Sequence, residues 1–194
     1  MKILWLDTET TGLDKWKHDV IQIAGLVEKD GVIINEFEFK CQPHSWADIQ
    51  ESAIKTHGYS EEILATFPKP AKVWNQFCRI LDEHINKYDK TDKFIMAGYN
   101  VGFDFDMMYA WWKKCDQEFF GSYFEYKTKF DILPLIMLFD QKYNWCLPNH
   151  KLETACTFLN IKFNAHDALA DIKATRDLYT YLLANLPEEM RLPR

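Results

Sequence analysis

The chain opens on an apolar run, Lys2 to Thr10, that gives way at Thr11-Gly12, and this predicts a strand running into a glycine turn. A second strand is expected over Val20 to Val27 and a third over Gly31 to Phe39. Between them Glu28-Lys29-Asp30-Gly31 carries the Asp-Gly signal of a hairpin. Late in the third strand Phe37 and Phe39 fall on one face and Glu36 and Glu38 on the other, as a period of two requires. After Pro68 and Pro70 the period lengthens. Val73, Trp74, Phe77, Ile80, Leu81 and Ile85 recur at helical spacing. A short apolar strand, Lys93 to Tyr99, precedes a helix over about 103–115. Ile132 to Phe139 reads as helical with Asp131 as its N-cap, and His150 to Leu159 reads as helical through Leu152, Ala155, Cys156 and Leu159. Ala168 to Ala184 closes the pattern as a long amphipathic helix. A meander followed by alternating strands and helices predicts an α/β fold with a mixed sheet.

Composition narrows the function. At 194 residues the chain is expected to form one domain, 1–194, large enough for a sizeable core. Hydrophobic residues make up 47% and aromatics 15%, which excludes an intrinsically disordered class. The net charge of -6 excludes a broadly basic, phosphate-coating protein, though it leaves room for a local nucleic-acid site. Five widely spaced cysteines without a CxxC argue against a disulfide framework. The N-terminal apolar run meets Asp7 too early for a signal-peptide core, and the run 132–139 is too short to cross a bilayer and contains Pro134. A soluble protein of the cytoplasm, or of the nucleus in a eukaryote, is expected, with no membrane partner.

The candidate chemistry lies in the carboxylates. Asp7 and Glu9 are two apart on a strand, so both side chains leave the same face, with Cα atoms roughly 6.5 Å apart. Like charges so close need a cation between them, and hard divalent ions favour such oxygen ligands. Asp7 ends a strongly apolar strand, the place where open α/β sheets gather ligands. Asn100-Val101-Gly102-Phe103-Asp104 follows the short apolar strand that ends at Tyr99, again at a carboxyl end. His166-Asp167-Ala168-Leu169-Ala170-Asp171 leads into the last helix. There Asp167 suits the N-cap and Asp171 the first turns, and an imidazole at His166 can accept a proton near neutral pH.

In order and spacing these three segments resemble the motifs of the DnaQ-like 3′–5′ exonucleases, the DEDDh branch of the RNase H-like superfamily. Asp7-Thr8-Glu9-Thr10-Thr11-Gly12 matches the first motif, Asn100 to Asp104 the N-x-x-F-D second motif, and His166 to Asp171 the H-x-A-x-x-D third. Lys55-Thr56-His57-Gly58-Tyr59 resembles a further His-Gly segment, and the likeness runs from the start to about Leu183. It implies an RNase H-like three-layer domain, with a mixed five-stranded sheet flanked by helices. It implies two divalent cations, Mg²⁺ or Mn²⁺, held by Asp7, Glu9, Asp104 and Asp171, with Asp7 bridging and Asp104 acting through water. It implies His166 as general base, and catalysis by all five residues together. The terminal nucleotide would lie against Thr10, Thr11 and Gly12 with Leu13 on its base, and His57, Asn100 and Phe103 are further substrate-site candidates. The partner implied is a single-stranded or frayed 3′ end, DNA favoured and RNA allowed, cut to nucleoside 5′-monophosphates, with a polymerase or a replication or repair protein as associate.

Other constellations are weaker. Cys146, His150 and Cys156 lack a fourth zinc ligand, and Cys156 fits a core stripe. Trp111, Trp112, Phe119, Phe120, Tyr123, Phe124, Tyr126 and Phe130 read mainly as core, with one or two free to meet a base. Lys113, Lys114, Lys127 and Lys129 interleave with acids and read as a solvated mixed face. Two rivals stand beside a deoxyribonuclease: an exoribonuclease of the oligoribonuclease or ribonuclease T kind, and an inactive module that binds a polymerase.

Overall fold

Alternation along the first strand organises the molecule. In a computed structural model, which describes residues 1–162 and 167–186, β1 (Lys2–Thr10), β2 (Val20–Lys29) and β3 (Val32–Lys40) form the antiparallel meander. Asp30 and Gly31, both at positive φ, make its hairpin turn. β4 (Phe94–Gly98) and β5 (Phe124–Asp131) add in parallel, giving the order β3-β2-β1-β4-β5.

Helices cover both faces. Leu4 and Leu6 pack with α3 (Pro70–His84) and α4 (Val101–Lys114). Ile3 and Trp5 pack on the opposite face with α5 (Leu133–Tyr143), α6 (Leu152–Phe158) and α7 (Ala168–Ala184). This is the three-layer, RNase H-like arrangement with a mixed five-stranded sheet. Two short helices, α1 (Glu51–His57) and α2 (Glu61–Leu64), lie in the connection from β3 to α3.

Three features depart from the sequence pattern. The place of β5 is not foreshadowed by the apolar pattern, because Glu125, Lys127 and Lys129 interrupt it; as an edge strand it leaves Lys127 exposed and Glu125 and Lys129 half-buried. α1 carries only Ala53 and Ile54 as apolar positions and α2 is four residues long, so neither shows a period. The fifth helix runs four residues past Phe139, and Asp131 lies one residue outside the cap position, yet its Oδ1 still accepts the Leu133 N–H at 3.1 Å.

The aromatic cluster is core for the most part. Trp111, Trp112, Phe120, Tyr123 and Phe124 are buried, and Phe119 is exposed. Cys156 is buried in the α6–α7 core, while His150 Nε2 bonds Asp140 Oδ2 at 2.7 Å.

Candidate active site

The parity of β1 delivers its last residues to two different helices. Asp7 and Glu9 continue the odd positions toward α7, where they meet Asp171, and ligand oxygens of these three lie within 4.8 Å of one another. Thr8 continues the even positions toward α4. Its N–H and Oγ1 both donate to Asp104 Oδ1, at 3.0 and 2.7 Å. Two helices approaching from opposite faces thus place their carboxylates at one strand end.

The depth of α7 is set one turn further along. Glu28 Oε2 accepts from Trp5 Nε1 at 3.0 Å and from Arg176 Nε at 2.6 Å. Asp171 precedes Arg176 by five residues, about 7.5 Å of helix, and Asp7 follows Trp5 by two, about 6.6 Å of strand. A clasp at Trp5 therefore brings Asp171 level with Asp7. Asp167 caps α7, its Oδ1 accepting the Ala170 N–H at 3.0 Å.

The electrostatics are those of crowded acids. Burial, then Asp104, Asp171, Glu9 and Asp167, hold the Asp7 carboxyl well above the usual range. Burial and the Asp171, Asp104 and Asp167 charges push Glu9 up to about 7. Asp104 also rises to about 7 through burial, against the lowering effect of its Thr8 hydrogen bonds. Such a set is costly without a cation. Its all-oxygen donors fit hard divalent ions such as Mg²⁺ or Mn²⁺. Asp7, Glu9 and Asp171 would hold such an ion directly, with Asp104 alongside.

A cleft of about 370 Å³ adjoins the carboxylates, lined by Glu9, Thr10, Gly12, Leu13, His57 and Phe103 among others. Leu13 stands at its rim, 77% exposed. The pairing of β1 and β2 slips between Glu9 and Thr10, a bulge that turns the chain out of the sheet toward the cleft. Gly12 has no room for a side chain: a Cβ there would lie 2.5 Å from the His18 ring. Gly12→Ala is accordingly expected to cost about 1–3 kcal/mol by thermal or urea unfolding, because the ring or the loop must move.

Sequence reasoning missed the second wall, Gln50, Ser52, Ala53 and Thr56, because nothing in that weakly patterned stretch marks a helix. His57-Gly58 was its one visible signal. Gly58, at φ 76°, terminates α1, and its N–H returns to the Ile54 carbonyl. His57 Nδ1 accepts the Tyr59 N–H at 3.0 Å, and burial lowers the pKa of this imidazole.

The structure does not bring two candidates to the cleft wall. Thr11 is fully buried, with its N–H given to the Asp19 carbonyl and its hydroxyl to the Asp48 carbonyl. Asn100 sits at the entry to α4 in a left-handed conformation, its N–H on Asp131 Oδ1. None of the eight aromatics named above lines the cleft. His166 lies outside the described residues.

Comparison with known proteins follows the same lines. A family model described as Exonuclease matches residues 4–179. DNA polymerase III PolC-type from Bacillus cereus is 26% identical over 188 residues, covering 94% of this chain and 11% of that protein. Oligoribonuclease from Bordetella pertussis is 27% identical over 192 residues and 95% of either chain. Among solved structures, a zinc-bound complex of E. coli Exonuclease I with single-stranded DNA superposes with a TM-score of 0.78 at 20% identity, over 96% of this chain and 41% of that one. The chain thus spans about a tenth of the PolC-type proteins and about two fifths of Exonuclease I.

Proposed function

This chain belongs to the DnaQ-like exonuclease family, and on that premise we propose that it is a divalent-metal-dependent 3′–5′ exonuclease. Its substrate in this reading is a single-stranded or frayed 3′ end, DNA in preference to RNA, and its product a nucleoside 5′-monophosphate. One observation carries the reading: Asp7, Glu9 and Asp171 converge within 4.8 Å beside a cleft large enough for a nucleotide.

Asp7, Glu9, Asp104 and Asp171 would hold two divalent cations, which when bound supply Lewis-acid stabilisation of the phosphodiester in displacement. The chain's own residues do the rest. Leu13 and Phe103 offer apolar surface to the terminal base, and the turn at Thr10 to Gly12 lies against its sugar. His166 accepts the proton of the attacking water, which an imidazole can do near neutral pH. Thr8 holds Asp104 in place through two hydrogen bonds.

The preference for DNA is supported by the single-stranded DNA bound to E. coli Exonuclease I and by the PolC-type relatives, whose name also supports a polymerase as associate. The exoribonuclease reading has its own support, since the Bordetella oligoribonuclease matches this chain end to end. Matched DNA and RNA oligonucleotides with unpaired 3′ ends, digested in Mg²⁺ or Mn²⁺, test both. Stepwise release of 5′-mononucleotides, faster from DNA, is expected. Faster release from RNA would move the substrate to RNA, and no release from any 3′ end would sink the activity.

A further inference from the structure

The two walls of the cleft belong to different parts of the chain, and no sheet pairing joins them. One wall is the end of β1 and its turn, through Thr10, Gly12 and Leu13; the other is α1, through Ser52, Ala53, Thr56 and His57. Between β3 and α1 the chain runs through ten residues without helix or strand. What holds that run to the turn is a set of polar ties centred on Thr11 and Asp19. Thr11 N–H donates to the Asp19 carbonyl at 2.8 Å, and Asp19 N–H donates back to Thr11 Oγ1 at 2.9 Å. Thr11 Oγ1 donates to the Asp48 carbonyl at 2.7 Å, and Gln50 N–H, at the head of α1, donates to the Thr11 carbonyl at 2.8 Å.

The Asp19 side chain extends the same network. It is fully buried, and its Oδ2 accepts both the N–H of His44 at 2.7 Å and His44 Nδ1 at 2.6 Å. Its Oδ1 accepts the Val20 N–H at 3.1 Å and lies 3.7 Å from Lys114 Nζ. Lys114, in the last turn of α4 and almost wholly buried, also donates to the His18 carbonyl. Its ammonium sits 5.2 Å from the Trp46 ring, which stacks on His44. The lysine taken above for part of a solvated face is therefore an internal counter-ion. A carboxylate out of water needs such a partner, and removing either one leaves a buried charge exposed to a strong penalty.

We propose that Asp19, neutralised by Lys114 and gripping His44, is a positioning residue that sets the separation of the two walls and so the fit of the terminal nucleotide. It rests on the exonuclease reading and deepens it. Asp19 touches neither the carboxylate cluster nor the cleft. It acts through Thr11 on one wall and through the run from His44 to Gln50 on the other. Loosening it should weaken the grip on substrate without disturbing the residues that would hold metal.

The test uses the full chain and an unpaired oligodeoxynucleotide, well below each variant's melting temperature. Asp19→Asn keeps the shape and loses the charge; His44→Ala removes only the ring and covers the case in which an Asp19 variant does not fold. Both are expected to raise KM by about tenfold with kcat within about twofold of wild type, the signature of lost binding shared by ground and transition states. Mn²⁺ affinity measured by calorimetry should stay unchanged, and Asp19→Ala should be worse than Asp19→Asn. A wild-type KM in His44→Ala, or in Asp19→Asn where that variant folds, even with lowered melting temperatures, overturns the inference alone. So does Mn²⁺ affinity falling in step with KM, which would put the defect in the carboxylates. Wild-type protein without turnover on any 3′ end overturns the inference together with the activity it rests on.

Discussion

Asp7→Ala is expected to lower turnover by about 10³-fold or more while leaving the fold intact. Asp7 occupies the middle of the carboxylate cluster. Its carboxyl is raised by burial and by Asp104, Asp171 and Glu9 together, so it is the group on which the cluster's field converges. Alanine removes the ligand that the other acids surround. It also removes a charge that the apo protein holds at a cost, so the melting temperature without metal should stay level or rise. Few substitutions separate activity from stability so cleanly, and the opposite signs make the result informative. His166→Ala should behave differently: turnover lower by about 10²–10⁴-fold, with Mn²⁺ binding largely retained. Single-turnover rates and Mn²⁺ calorimetry on both variants check this. An Asp7→Ala protein with near wild-type rates would show that the cluster is not the reaction centre.

The second large effect is on stability against pH. Glu9 and Asp104 titrate near 7 in the folded protein, against about 4 for such groups in an unfolded chain. A carboxyl whose folded pKa is raised contributes stability that is complete below its unfolded value and is lost as pH climbs through its folded value. Metal-free protein should therefore become less stable between about pH 4 and 7, by on the order of 3 kcal/mol for Glu9 alone. Carboxylates held low by their partners, such as Asp92 beside Lys2, work in the other direction but are fully ionised by pH 5. The comparison is cleanest between pH 5 and 8. Divalent metal reverses the trend, since only the charged carboxylates bind it. Saturating Mg²⁺ should raise the melting temperature more at pH 8 than at pH 5, with about 2.7 kcal/mol available at a hundred times Kd. A metal-free melting temperature that is flat or rising from pH 5 to 8, or an equal metal shift at both, would contradict the electrostatics of the cluster. The acidity of the chain, net -6, is in part this cluster, and two divalent cations would offset the four carboxylates.

Much of this was legible along the chain because it depends on local geometry. A strand alternates sides, so Leu4-Trp5-Leu6-Asp7-Thr8-Glu9 already says that Asp7 and Glu9 share a face and that Thr8 does not. Helical spacing over 168–184 and an aspartate three residues before Ala170 locate α7 and its cap. What escaped were elements whose signal is not periodic: the edge strand β5, broken by Glu125, Lys127 and Lys129, and α1, whose seven residues carry only Ala53 and Ile54 as apolar positions. Lys114 was misjudged for a related reason, as spacing shows a lysine among acids but not the buried Asp19 beside it.

By itself, then, the sequence determined the order of the elements other than α1, α2 and β5, the parity that aims Asp7 and Glu9 together, and the acidic residues able to take a hard cation. Only the tertiary structure decided that Asp104 reaches the same strand end through Thr8, that Arg176 on Glu28 draws Asp171 level with Asp7, and that Thr11 and Asp19 join the cleft walls. Period and propensity act over a few residues of backbone. Those contacts span up to about 150 residues, and what sets them is the burial of two opposite faces of one sheet, a property of the packed whole.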